Sequence, residues 1–216
     1  NYIPADERVI TIEDSAELQI KNISNLVSLE TRNANAEGEN GITIRDLIKT
    51  ALRARPDRII VGEIRGKEAL DLLQAFNTGH DGSLSTGHAN SPADMLSRIE
   101  TMVLMGMDMP IEAVRSQIGS ALDVIVYLGR LRDKSRRVLS IIEIDGYSDG
   151  EVKYHDIFKF YEHGEENGKI IGKIEGSRKH LRNREKLEMA GIYWGDDEKD
   201  SPEEYQHLPQ HQVAPR

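Results

Sequence analysis

Acidic or histidine side chains stand at the ends of three segments of this sequence that we predict to be strands. A carboxylate at the end of a buried strand can reach a divalent cation or a water molecule while the strand itself stays in the core. Because ligands of open parallel sheets bind outside the carboxyl ends of the strands, three such ends at one edge predict a single site. The three ends are RVITI (8–12) before Glu13 and Asp14, IIV (59–61) before Gly62 and Glu63, and SLSTG (83–87) before His88.

Glu63 is the most specific candidate of this set. An apolar strand that ends in a carboxylate is what a Walker B element needs to hold Mg²⁺ or to orient the attacking water in phosphoryl transfer. Gly62 before it allows a backbone or a ligand to approach closely. The alternative for Glu63 is that it caps or ion-pairs the neighbouring helix. The alternative for His88 is a hydrogen-bonded structural histidine.

The hydropathy pattern predicts the strands and helices that position these residues. Strands and helices alternate between residues 8 and 88, which predicts an α/β fold with a mostly parallel sheet and covering helices. The pattern Thr43-x-x-Asp46 resembles a capping box at the start of a helix that ends before Pro56. The other predicted elements are strands over 8–12, 26–31, 59–61 and 83–88, helices over 67–77, 91–103 and 110–121, later strands over 124–128 and 137–144, and an apolar stretch over 152–160.

Composition limits the class of protein. The chain has 216 residues and a net charge of -9, which argues against broad binding to a nucleic-acid backbone. It has no cysteine, which excludes disulfides, thiolate metal sites and cysteine nucleophiles. No apolar run approaches the roughly 20 residues of a membrane helix, and no secretory signal is visible. A shift to Gly, Glu, Lys and Arg predicts a domain over 1–161 and an extension over 162–216, whose end (196–216) is expected to be disordered.

Longer motifs around the candidate residues resemble the secretion ATPases of type II and type IV systems. The resemblance covers about residues 1–160, and its motifs agree in order and spacing. The segments ETMVLM (100–105) and SRR (135–137) make it similar to the CpaF kind, which powers assembly of tight-adherence (Tad/Flp) pili. The other motifs are the acidic "Asp box" TIEDSAEL (11–18), RARPD (53–57), RIIVGEIRG (58–66) and TGHDGSLSTGHAN (78–90).

The resemblance implies a RecA-like P-loop NTPase core that hydrolyses ATP with Mg²⁺. It also implies a homohexamer with nucleotide between subunits. Such a protein is cytoplasmic and reaches the cytoplasmic membrane through an inner-membrane platform protein of a pilus or secretion system. Pilus assembly, protein secretion and DNA transfer use the same kind of ATPase core, so the resemblance does not predict which cargo is moved. Given the acidic charge, no nucleic-acid partner is expected.

Roles for individual carboxylates follow from the resemblance. It implies that Glu17 orients or deprotonates the attacking water. Glu63 is the Walker B glutamate, a metal ligand and a catalytic residue, and His88 is the His-box histidine near the γ-phosphate. Glu13 and Asp14 help to hold the magnesium and its waters, with Glu13 as a second metal ligand. Phosphoryl transfer depends mainly on such placement of charge, which agrees with these assignments.

Three arginines are candidates for charge compensation in nucleotide binding or for subunit contacts. They are Arg32, Arg45 and Arg55, and for each of them a scaffold ion pair on the surface is the alternative.

One motif of the family is missing from these residues. No G-x-x-x-x-G-K-[ST] occurs, and Gly66-Lys67 is followed by Glu68. In the family that phosphate-cradling loop lies just before the position of Asn1. We therefore expect a truncated chain that holds the second half of an active site and is inactive by itself. The alternative is a non-hydrolytic interaction or scaffold module of a secretion complex.

Overall fold

The computed structural model describes residues 2–176, residue 181 and residues 183–189. The chain divides into two compact units. The first holds the residues up to Ile125 together with Ile144–Tyr154, and the second holds Val126–Glu143 and the described residues from His155 onwards. The boundary predicted at residue 161 falls instead inside a strand. The disorder predicted for 196–216 lies outside the described residues.

The sheet of the first unit consists of four strands: β1 (Arg8–Glu13), β2 (Asn25–Glu30), β3 (Arg58–Val61) and β4 (Leu84–Ser85). Their order is β2-β1-β3-β4, and every neighbouring pair is parallel. In the register, Ile12 lies opposite Val61, and Val61 lies opposite Ser85. The predicted parallel sheet is confirmed, and its carboxyl ends lie at one edge.

The two central strands are buried on both faces, whereas the outer strands are not. Five consecutive residues of β1 and three of β3 are buried, as expected for a strand covered on both sides. β4 is shorter than the strand predicted over 83–88, since only Leu84 and Ser85 pair with β3. The least accessible core side chains include Val9, Ile10, Ile12, Ile48, Ile59, Val61, Val103 and Ile118.

The helices of the first unit are α1 (Ile44–Ala51), α2 (Glu68–Phe76), α3 (Pro92–Gly106) and α4 (Ile111–Ala121). The predicted capping box of α1 is confirmed, since the Thr43 hydroxyl accepts from the Asp46 N–H and the Asp46 carboxylate accepts from the Thr43 N–H. Ser91 caps α3, whose first residue is Pro92, also as predicted. α2 packs against the other three helices. Within the described residues, no helix is both long enough and apolar enough to span a membrane.

A second sheet follows the helices, with the order β5-β6-β7-β8. It contains β5 (Val124–Arg130), β6 (Arg136–Ser148), β7 (Glu151–Glu166) and β8 (Lys169–Gly176). The strands predicted over 124–128 and 137–144 are confirmed. β8 was not predicted, and it pairs antiparallel with β7. Asn167 and Gly168 connect the two strands with φ of 49° and 72°, the left-handed pair of a two-residue type I′ turn.

The second unit carries a buried polar contact. His155 Nε2 lies 3.2 Å from Glu143 Oε2, and both side chains are almost inaccessible. The Asn183 N–H donates to Glu143 Oε1 at 2.7 Å. This contact joins the segment before α5 (Glu185–Met189) to β6.

Asp133 stabilises the turn between β5 and β6. Its carboxylate accepts hydrogen bonds from the Ser135 hydroxyl at 2.6 Å, the Ile170 N–H at 3.0 Å and the Ser135 N–H at 3.0 Å. These bonds, the Ser135 hydroxyl first, lower the pKa of Asp133 from 3.8 to about 2. The ionised form is therefore favoured by the folded state.

We expect Asp133→Asn to weaken the dependence of stability on pH below about pH 4. Because the pKa is lower in the folded than in the unfolded chain, the carboxylate stabilises the fold above the unfolded pKa. That contribution disappears as the pH falls towards 2. Urea unfolding midpoints near neutral pH and near pH 3 should thus differ less in the variant than in the wild type. Asp108→Asn, at an exposed loop position, is the control. Identical pH dependence in Asp133→Asn and wild type would contradict this account.

Candidate active site

A cleft of about 360 Å³ lies at the carboxyl edge of the parallel sheet in the first unit. Asp14 lines it from the residues after β1, and Glu63 lines it from the residues after β3. Residues 43–45 contribute the start of α1, and Lys67 and Glu68 contribute the start of α2. The predicted convergence of strand ends at one site is confirmed for these carboxylates, and the cleft adds the amino ends of two helices.

Glu63 lies between the side chains of Arg65 and His88. Its Oε1 forms a short ion pair with the Arg65 guanidinium, and its Oε2 lies 3.4 Å from His88 Nε2. Oε2 is buried and accepts no hydrogen bond from any described residue. The Arg65 hydrogen bond, followed by the charges of Arg65 and His88, lowers the pKa of Glu63, while burial and Asp14 act in the opposite direction. Glu63 is therefore a carboxylate held in its ionised form.

Glu13 organises the segment after β1. The side chain is buried, and its Oε1 accepts the N–H groups of Glu17 and Leu18, both at 2.9 Å. A Cβ at Gly62 would lie 3.1 Å from Glu13 Cγ. The close approach predicted at Gly62 is thus made by the Glu13 side chain, and the glycine gives Glu13 room to reach the segment that carries Glu17.

Asp14 and Glu17 occupy different surroundings. Asp14 Oδ1 accepts the Thr31 hydroxyl at 2.7 Å, which fixes the carboxylate at the wall of the cleft. The Glu17 side chain is exposed and does not line the cleft. Both charges contribute, after Glu63, to the raised pKa of Arg65. The structure therefore brings Asp14 to Glu63 and leaves Glu17 within electrostatic range of Arg65.

The three candidate arginines have different surroundings in the structure. Arg32 lines the cleft and donates to the Asn40 carbonyl at 2.9 Å. Arg45 also lines it, but its Nε lies 2.7 Å from Oδ2 of the buried Asp71, so the scaffold ion pair describes it best. Arg55 is exposed, with a φ of 51°, in the connection before β3. It lies at the opposite end of β3 from the cleft and is not brought together with the other candidates.

Two contacts at this edge of the sheet were missed from the sequence. No hydrophobic periodicity in the sequence predicts the ion pair between Arg65 and Glu63, although the two residues are only two positions apart. Glu68 Oε1 accepts the N–H groups of Arg65 at 2.6 Å and Gly66 at 2.8 Å. Glu68 therefore ties the turn between β3 and α2 to the start of the helix, and Glu63 does not cap α2. An acidic residue in the first turn after a glycine was the available signal.

The donor set fits a hard divalent cation and a phosphate group. Mg²⁺ prefers carboxylate oxygens; Glu63 Oε2 is a buried carboxylate oxygen without a hydrogen bond from any described residue, and Glu63 and Asp14 line the same cleft. Arg32, Arg65 and Lys67 line the same cleft and carry the positive charge that phosphate oxygens need.

The fold and the site together define an α/β protein with a carboxylate–arginine–histidine cluster at the carboxyl edge of a parallel sheet. The family model described as type II/IV secretion system protein matches residues 1–169. The chain belongs to this family.

Relatives agree with this assignment. A Mycobacterium tuberculosis protein named for conjugal transfer is 44% identical over 140 residues, which are 64% of this chain and 39% of that protein. The conjugal transfer protein TrbB of Rhizobium radiobacter is 40% identical over 142 residues, 66% of this chain and 40% of TrbB.

A solved structure shares the fold. The crystal structure of the VirB11 ATPase from the Brucella suis type IV secretion system, in complex with sulphate, matches with a TM-score of 0.57 and 33% identity. The match covers 64% of this chain and 40% of the VirB11 chain. The present chain thus spans about two fifths of the length of these relatives.

Proposed function

We propose that this chain supplies the metal- and water-binding half of the active site of an ATPase that powers a type II/IV secretion system. One observation carries the proposal: the buried Glu63 Oε2 has no hydrogen bond from a described residue, and Glu63 lines a cleft that Arg32, Arg65 and Lys67 also line. An ionised carboxylate in that position is what a nucleotide-bound Mg²⁺ requires. Membership of the secretion family and the fold shared with the VirB11 ATPase support it.

Each carboxylate has a separate task in this proposal. Glu63 holds Mg²⁺, which when bound neutralises charge on the transferred phosphoryl group. Asp14 would help to hold the magnesium and its waters, and Glu17 would orient or deprotonate the attacking water. Glu13 Oε1 accepts backbone N–H groups of the segment that carries Glu17. Any bond from Glu13 to the metal would therefore come from its other oxygen. His88 stays beside Glu63 and faces the transferred phosphate.

The remaining parts of the active site come from outside these residues. We propose that a P-loop segment pairs along the outer edge of β4, which has a described neighbour on one side only. An edge strand presents unpaired backbone groups to such a segment. Arg32 faces the nucleotide from within the cleft, whereas Arg55, at the other end of β3, serves a contact with a neighbouring subunit. Lys67 adds positive charge to the cleft.

The proposed assembly is a homohexamer on the cytoplasmic side of the inner membrane. It meets the membrane through a platform protein and has no nucleic-acid partner. The ETMVLM and SRR segments favour assembly of Tad/Flp pili as the task. Because two relatives are named for conjugal transfer, conjugal transfer is the second candidate for the task of this assembly.

The test begins with the DNA upstream of the Asn1 codon. We expect the same frame to encode a G-x-x-x-x-G-K-[ST] within roughly 30 residues. The longer polypeptide should hydrolyse ATP, whereas the purified 216-residue chain should not, because it lacks the phosphate-cradling loop. A genuine start codon without that motif upstream would overturn the proposed ATPase function and favour the non-hydrolytic scaffold module. Steady, Glu63-dependent hydrolysis by the short chain would contradict the need for the loop.

A further inference from the structure

Oε1 of Glu63 pairs with Arg65 and Oε2 lies near His88, and both of these partners are more exposed than Glu63 itself. The side chain of Glu63 is 22% exposed, whereas those of Arg65 and His88 are 67% and 81% exposed. The carboxylate is therefore the most buried member of the cluster, and its two partners have more room to move.

Arg65 has an anchored backbone and an exposed head group. Its N–H donates to Glu68 Oε1, which fixes the start of the side chain at the amino end of α2. Within the described residues, its guanidinium forms an ion pair with Glu63 alone. Arg45, by contrast, is tied to the buried Asp71.

A guanidinium recognises carboxylate and phosphate oxygens with the same fork of donors. While Arg65 occupies Glu63 Oε1, that oxygen is neutralised and is a poor ligand for a cation. An oxyanion in the cleft competes with Glu63 for the same guanidinium, because Arg65 also lines the cleft wall. Arg65 therefore leaves Glu63 when it binds the oxyanion.

We propose that Arg65 is a positioning residue that holds Glu63 in the absence of an oxyanion and exchanges it for a phosphate oxygen, which frees Glu63 Oε1. This exchange rests on the proposed function, since it requires a phosphate group in this cleft. It makes the carboxylate available only when phosphate is present. By linkage, whatever occupies the freed Glu63 strengthens phosphate binding at Arg65 by the same factor.

The exchange is measured on the full 216-residue chain without metal or nucleotide. The probe is inorganic phosphate, added at constant pH and ionic strength to a chain labelled with ¹³C at the glutamate carboxyl carbons. Glu63→Gln identifies the Glu63 resonance. Phosphate should move that resonance in the wild type to the position it has in phosphate-free Arg65→Ala. In Arg65→Ala, phosphate should leave it unchanged.

Two further variants separate exchange from general charge effects. Arg65→Lys keeps the charge without the fork, so its response should need several-fold more phosphate. Arg53→Ala removes an exposed arginine in the loop before β3, at the far end of that strand from the cleft, and should respond like the wild type. A wild-type Glu63 resonance that phosphate does not move overturns the exchange, as does an equal response in Arg65→Ala. ATP hydrolysis plays no part here, so failure of the proposed ATPase would be seen separately.

Discussion

Glu63→Gln is expected to lower ATP turnover of the polypeptide that includes the P-loop by about 10²- to 10⁴-fold. Glutamine keeps the size of the side chain but removes the charge that Arg65, His88 and a metal ion require. The loss should appear in kcat with little change in KM, because the charge matters most in the transition state. Steady-state hydrolysis measured across ATP concentrations gives both values.

The matched control for this substitution is Glu112→Gln. Glu112 is an exposed residue in the first turn of α4, so its loss should leave turnover unchanged. Affinity for a fluorescent nucleotide separates lost chemistry from misfolding, since Glu63→Gln should retain binding. Wild-type turnover in Glu63→Gln would refute the assignment of Glu63 and leave the family assignment intact.

Glu13→Ala should destabilise the first unit by about 1–3 kcal/mol. The substitution leaves the N–H groups of Glu17 and Leu18 without their charged acceptor. Glu13→Gln keeps an acceptor oxygen, so its effect should be smaller. Urea unfolding of the three chains measures the difference, and amide exchange at Glu17 and Leu18 should accelerate in Glu13→Ala.

Glu30→Ala is the comparison for Glu13→Ala. Glu30 lies opposite Glu13 in the register of β2 and β1, but it is exposed, and its bond to the same segment, from the Ala16 N–H, is a long one of 3.4 Å. Its loss should change stability by no more than about 0.5 kcal/mol. Equal effects at the two positions, or unchanged exchange at Glu17 and Leu18, would show that Glu13 does not organise the segment after β1.

The hairpin at the end of the second sheet shows where composition misled the prediction. The shift to Gly, Glu, Lys and Arg near residue 162 was interpreted as a domain boundary, yet β7 continues through it and pairs with β8. The Asn167-Gly168 pair was the local signal, because Asn-Gly favours the left-handed conformations of a two-residue turn. Turn chemistry was more informative there than average composition.

The sequence by itself determined the elements that depend on local patterns. A β-branched segment predicted β1, a continuous apolar run predicted β3, and the Thr43-x-x-Asp46 spacing predicted the start of α1, because these signals are set by residues a few positions apart. The two strand segments placed Asp14 and Glu63 at strand ends. Parallel pairing then predicted that they meet, and the cleft confirms it.

Only the tertiary structure decided which side chains contact one another at that edge. The pairing of Glu63 with Arg65 and His88, and the use of Glu13 as an acceptor for the next segment, depend on side-chain direction and on strand register. Arg55 shows the same limit, because it is near Glu63 in sequence but separated from it by the length of β3. Spacing along the chain specifies which residues are neighbours in an element, whereas contacts between elements are set by packing across the whole sheet.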